Sequence, residues 1–101
     1  MFQNKIIIDL INRKYLAYHS FLEAIVTEGY VRVNMVLEPG EFAVRGTIID
    51  VFPVNHSHPI RIEYFDDDIE RLSSFNLHNQ RSISSLEKIE IFSVGTRNKK
   101  D

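Results

Sequence analysis

The sequence predicts an α+β domain, a mainly antiparallel β-sheet with one main helix packed on one face. Three observations carry this. An apolar stripe at helical spacing runs through Tyr18, Phe21, Leu22, Ile25 and Val26. After it come short alternating segments at regular intervals, separated by Pro, Gly, Asn and Asp signals. A chain of 101 residues that is 44% hydrophobic makes a single domain with a real but modest core.

Ile6 to Leu10 is rich in β-branched residues and reads as a strand, followed by a turn at Asn12, Arg13 and Lys14. The helix is expected at about 18–28. Ser20 and Glu23 have capping-box spacing, so the helix starts there or a turn earlier. Gly29 stands where a left-handed residue ends a helix. Val31 to Val36 alternates as a strand, and Glu38 to Gly40 is a turn. The stretch "EFAVRGTIIDVFP", Glu41 to Pro53, reads as one apolar strand interrupted by Gly46. Val54 to Pro59 is a loop, Ile60 to Phe65 a cleanly alternating strand, Asp66 to Asp68 a turn, and Ile69 to Phe75 another strand. "NLHNQRS" is a polar connection, and Glu87 to Val94 closes the set. The domain is expected at 1–94, with a frayed tail at 95–101.

Composition narrows the function. The net charge of −2 argues against a dedicated nucleic-acid binder, which would show a basic patch or stripe. Without cysteine there is no disulfide framework, thiolate zinc site or cysteine nucleophile. No apolar run approaches the about 20 residues that span a bilayer. The N-terminus lacks a basic region and a small-residue cleavage site, so the expectation is a soluble, cytoplasmic domain. Glycines stand only at 29, 40, 46 and 95, so no phosphate-binding loop exists. His56 and His58 have the spacing of metal ligands on a strand, but they lie in a loop without a third or fourth ligand nearby. Asp66, Asp67 and Asp68 could hold a hard cation, and a solvated acidic turn is the preferred reading. No nucleophile elbow or buried carboxylate pair stands out. The expectation is a domain that is not an enzyme and holds no metal or cofactor.

The arginines are more informative. Strand parity places Arg45 with Ala43, Thr47, Ile49 and Val51, and Arg61 with Glu63 and Phe65. The opposite faces, Phe42, Val44, Ile48 and Phe52, then Ile60, Ile62 and Tyr64, are the natural core faces. Asp50 falls on that core parity, so the parity breaks or a bulge occurs near Gly46. An outward face showing Arg, Ile and Phe is closer to an interface than to a solvated sheet. The alternative is that Phe65 packs a second core and the arginines pair across strands with Glu63 or Glu70. On a straight strand, Arg45 would lie about 20 Å from the Val51 neighbour of Arg61, a broad footprint unless the chain bends at Gly46.

"GYVRVNMVLEPGEFAVRGTIIDVFP" followed by "PIRIEYFDDDIERLSSFNLHNQRS" resembles the UvrB-homology region of bacterial transcription-repair coupling factors (Mfd). The matching pattern runs through E-P-G-E-F-A-V-R-G, D-x-F-P, R-I-E-x-F and Q-R-S, across roughly Ile6 to Val94. "EPGEF" and "NQRS" favour the coupling factor over the excision-repair protein UvrB, which carries a looser version. Asp66, Asp67 and Asp68 stand where many members have Gly-Asp-Glu. The resemblance implies a module that docks UvrA and so recruits excision repair to stalled RNA polymerase. It implies that Arg45, Arg61 and Phe65 belong to the UvrA-contacting surface, on the face that also carries Glu63 and Thr47. It further implies that the ATP- and Mg-dependent DNA translocase motor and the polymerase-binding part lie elsewhere in the full-length protein, this chain being an excised domain. The rival readings are a structural insert and a nucleic-acid-binding sheet built on Arg45, Arg61, Arg71 and Tyr64.

Overall fold

The computed structural model describes residues 4–95 and is α+β, as the sequence predicts. Its elements are β1 (Lys5–Asp9), α1 (Tyr18–Thr27), β2 (Val31–Arg32), β3 (Glu41–Arg45), β4 (Ile48–Val51), β5 (Ile60–Phe65), β6 (Asp68–Phe75), β7 (Ser82–Ser85) and β8 (Lys88–Phe92). The strands form two sheets rather than one. A ribbon pairs β1 with β8, and a second sheet runs β2-β3-β4-β5-β6-β7. All described pairings are antiparallel except the short parallel contact of β2 with β3. The tail expected at 95–101 lies outside the described residues except for Gly95.

The helix begins at Tyr18, so the earlier of its two expected starts is the observed one. Ala17 is the N-cap and supplies no side-chain bond, and the Ser20–Glu23 spacing is not used as a capping box. Gly29 ends the helix with φ +97°. Its N–H donates to Val26 O at 3.0 Å, and the Tyr30 N–H donates to Ile25 O at 3.1 Å, the paired bonds of a Schellman ending. Phe21 and Ile25 are fully buried, with Tyr18 and Leu22 packed at the flanks. Val26 points outward, one step past the stripe centred on Ile25.

Gly46 does more than interrupt a strand. Glu41 to Pro53 is a hairpin, with Arg45 paired to Ile48 across the two-residue turn Gly46-Thr47. Gly46 has φ +61° and Thr47 does not share that region, the pattern of a type II′ turn. The turn is fastened on two sides: the Tyr18 hydroxyl donates to Gly46 O at 2.6 Å, and the Tyr64 N–H donates to Thr47 O at 3.0 Å. The hairpin resets the parity. Ile49 and Val51 are buried with Phe42 in the main core, whereas Ile48 and Asp50 share the outer face with Arg45.

Three other expectations are corrected. The strand read over Val31 to Val36 survives only as β2, after which the chain turns away and lays Val36 over the outer face against Ala43 and Phe75. The connection "NLHNQRS" ends by entering a strand, β7, which the serine-rich "SISS" hid because it lacks an apolar alternation. The acidic turn narrows to Asp66 and Asp67, Asp66 at φ +54°, and Asp68 joins β6.

The main core lies between the inner face of the large sheet and a layer made of α1 and the ribbon. Ile6, Ile8, Ile89 and Ile91 of the ribbon and Phe21 and Ile25 of α1 meet Phe42, Ile49, Val51, Ile60, Ile62 and Leu72. Burying one such side chain contributes about 2 kcal/mol. Tyr64 closes the core edge, its ring edge-on to Tyr18 at 5.5 Å and its hydroxyl donating to Leu16 O at 2.7 Å. With most of the inner side of the large sheet covered by this core, its charged residues gather on the other side.

Candidate functional site

The outer face of the large sheet is organised in cross-strand rows. One row is Ala43, Asp50, Arg61, Ser73 and Ser85. The next is Arg45, Ile48, Glu63 and Arg71. Residues opposed in register project to the same side, so both rows point outward. Phe65 follows Glu63 by two on β5 and continues this face to the hairpin tip, where it is 64% exposed.

The first row is knit together. Arg61 donates to Asp50 from Nε to Oδ1 at 2.7 Å and from Nη2 to Oδ2 at 3.0 Å. This bidentate pair is mostly removed from water, with side-chain exposures of 17% and 8%. The Asp50 carboxylate pushes the Arg61 guanidinium above its ordinary pKa, with burial opposing. The guanidinium also lies over the Phe75 ring, 4.2 Å from its centre. Its Nη2 donates again to Gln80 Oε1 at 2.9 Å. Gln80 reaches it because the 76–81 loop is tightly tied: Asn76 Oδ1 accepts from the His78 and Asn79 N–H groups, and Gln80 adopts φ +64°.

Arg45 meets the same carboxylate from the other side, Nη2 to Oδ2 at 3.3 Å, while its side chain stays 51% exposed. The two arginines therefore do not stand a strand length apart. The bend at Gly46 brings both to Asp50, and the parity argument for a broad footprint fails with the straight strand it assumed.

The predicted site residues thus take distinct places. Arg45, Arg61, Glu63 and Phe65 share the outer face, and Thr47 sits exposed in the turn beside Arg45. Glu63 pairs loosely with Arg71 at 4.0 Å, and the cross-strand partner of both Arg45 and Arg61 is Asp50 rather than Glu63 or Glu70. Phe65 does not pack a second core; Phe75, Val36 and Ala43 do. Sequence reasoning assigned Gln80 no role. Its position in "NQRS" marked the loop, but only the fold brings that loop over Arg61.

The other candidates resolve into loop and turn chemistry. His56 Nε2 lies 3.1 Å from Glu90 O, and Asn55 both donates to Glu90 O and accepts from the Phe92 N–H, which pins the 53–59 loop to the ribbon. Asp68 meets the Tyr15 hydroxyl and Arg13. Among the described residues no group of three or more His, Asp or Glu is placed to hold a metal ion. No described helix is long and apolar enough to cross a membrane.

Comparison with known proteins identifies the family. A family model described as the UvrB interaction domain matches residues 8–95. The chain is 48% identical over 67 residues to the transcription-repair-coupling factor of Bacillus subtilis (strain 168), covering 66% of this chain and 6% of that protein. It is 44% identical over 71 residues, 70% of this chain, to the factor of Staphylococcus aureus (strain MRSA252), and 40% identical over 63 residues, 62% of this chain, to that of Escherichia coli (strain K12). It spans 6% of the length of each of those two relatives as well. On the extent of the family match, the chain belongs to the UvrB interaction domain family and is a domain of the kind carried by transcription-repair coupling factors.

Proposed function

We propose that this domain is the docking module through which a transcription-repair coupling factor binds UvrA and brings excision repair to stalled RNA polymerase in the bacterial cytoplasm. The observation that carries this reading is the outer face. Its inner row is a closed polar network, while Arg45 and Phe65 at its rim stay half or more exposed among the described residues. An ordered arginine on the same face as an exposed aromatic is the composition of a protein-binding surface.

The mechanism is recognition without chemistry. Asp50 accepts one Arg45 amino group, which fixes the guanidinium and leaves its remaining N–H donors for a carboxylate on UvrA. Phe65 buries as the apolar anchor, with Thr47 and Glu63 at the margin. Arg61 serves mainly as a strut, because Asp50, Gln80 and Phe75 already occupy it. In this reading ATP, Mg and duplex DNA belong to the motor of the full-length factor. Calorimetric titration of UvrA with this domain and its Arg45→Ala and Phe65→Ala variants tests the assignment. Binding indifferent to both substitutions rules out this face.

A further inference from the structure

The second outer row has an arginine at each end. Arg45 opposes Ile48, Ile48 opposes Glu63, and Glu63 opposes Arg71. At about 4.8 Å per strand, the two arginine Cα atoms stand about 14 Å apart. Arg71 is 54% exposed and lightly held. Its Nη2 donates to Ser82 Oγ at 3.1 Å, and its Nε lies 4.0 Å from Glu63, at the outer limit of an ion pair. Most of its five donors therefore face outward. In the neighbouring row Asp50 neutralises Arg61, so the two rows together carry three guanidiniums against two carboxylates. This positive surplus lies on a chain whose net charge is −2. Charge of the opposite sign to the whole chain, gathered in these two rows around the half-buried Ile48, suits an acidic protein surface.

We propose that Arg71 is a second docking arginine, paired with Arg45 across the row, so that the partner presents carboxylates to both ends. The inference rests on the docking function proposed above and extends its footprint across β6. It assigns Ser82 a positioning role, aiming Arg71 as Asp50 aims Arg45.

The test is calorimetric titration of UvrA with the unaltered domain, Arg45→Ala, Arg71→Ala, Arg71→Glu, Arg71→Lys and a charge-matched control, Lys5→Ala, on the ribbon. The expected result is binding about fivefold weaker for Arg71→Ala, weaker still for Arg71→Glu, and unchanged for Lys5→Ala, with the loss shrinking as salt is raised. Circular dichroism checks that each variant is folded. Should Arg71→Ala fail to fold, Arg71→Lys keeps the stem and charge, and it is expected to bind more weakly than the unaltered chain because it loses the forked donor geometry. Arg71 variants that bind like the unaltered chain, while Arg45→Ala weakens binding, overturn this inference and leave the docking function standing. An unaltered domain that does not bind UvrA overturns both.

Discussion

Arg61 grips Asp50 at both carboxylate oxygens, and the oxygen it holds at 3.0 Å is also the one Arg45 reaches at 3.3 Å. One acid on β4 thereby fastens an arginine on each neighbouring strand, one nearly buried and one half in water. The difference in burial separates stability from recognition. Taking a charge out of water is costly, and leaving it without its partner costs more.

The Asp50–Arg61 pair is expected to behave as a unit. Asp50→Ala or Arg61→Ala alone should destabilise the domain by about 3 kcal/mol, because the first leaves Arg61 without its carboxylate and the second leaves Asp50 only the longer contact with half-exposed Arg45. Replacing both together, Asp50→Leu with Arg61→Met, should cost less than either single change. Urea denaturation of the three variants checks this, and additive losses would contradict it.

Arg45 should matter little to folding. Its ion pair is half exposed and 3.3 Å long, so Arg45→Ala is expected to cost less than about 1 kcal/mol. The same urea series measures it. A loss as large as that of Arg61→Ala would mean that Arg45 is a strut as well.

Gly46 tests the hairpin. No atom lies within 4 Å of where a side chain would begin, so any cost is purely conformational. At φ +61°, Gly46→Ala should lose about 1 kcal/mol and Gly46→Asn less, since asparagine tolerates that region better. Equal and negligible losses for both would show that the turn does not demand this geometry.

Tyr64 predicts alkaline behaviour. Burial raises its phenol pKa above the ordinary value, helped by the nearby Tyr15 and Asp67. The folded state therefore holds this proton more tightly than the unfolded chain, whose tyrosines ionise near about 10. The stability it contributes is fully present below that pH and is lost as pH rises toward the folded value. Spectrophotometric titration should show a late-ionising tyrosine step that shrinks in Tyr64→Phe. A titration curve unchanged by Tyr64→Phe in its late part would contradict it.

Much of this fold was legible in the residues. The apolar stripe gave the helix, and Gly29 gave its end, because both depend on local geometry alone. The alternation of Ile60, Ile62 and Tyr64 against Arg61, Glu63 and Phe65 correctly divided β5 into core and outer face. Glu41 to Pro53 defeated the same reasoning. Its apolar residues run on across the turn, so a hairpin looked like one strand, and parity counted through Gly46 reversed the faces of β4. The error also separated Arg45 from Arg61: Asp50 could be expected to accept hydrogen bonds from a turn or a neighbouring strand, as it does, but not to join the two arginines. The separate ribbon, and Gln80 over Arg61, follow from contacts between distant segments that no local pattern encodes.

In the proposed docking function, the face carrying Arg45 and Phe65 binds UvrA while Asp50 and Arg61 hold it in shape. The most direct measurement is calorimetric titration of UvrA from the same organism with the unaltered domain and with folded Arg45→Ala. Binding that weakens at least about tenfold, or about 1.4 kcal/mol, with thermal stability nearly unchanged, is the predicted result. Equal binding by the two proteins would contradict it and place any UvrA contact on a different face of the domain.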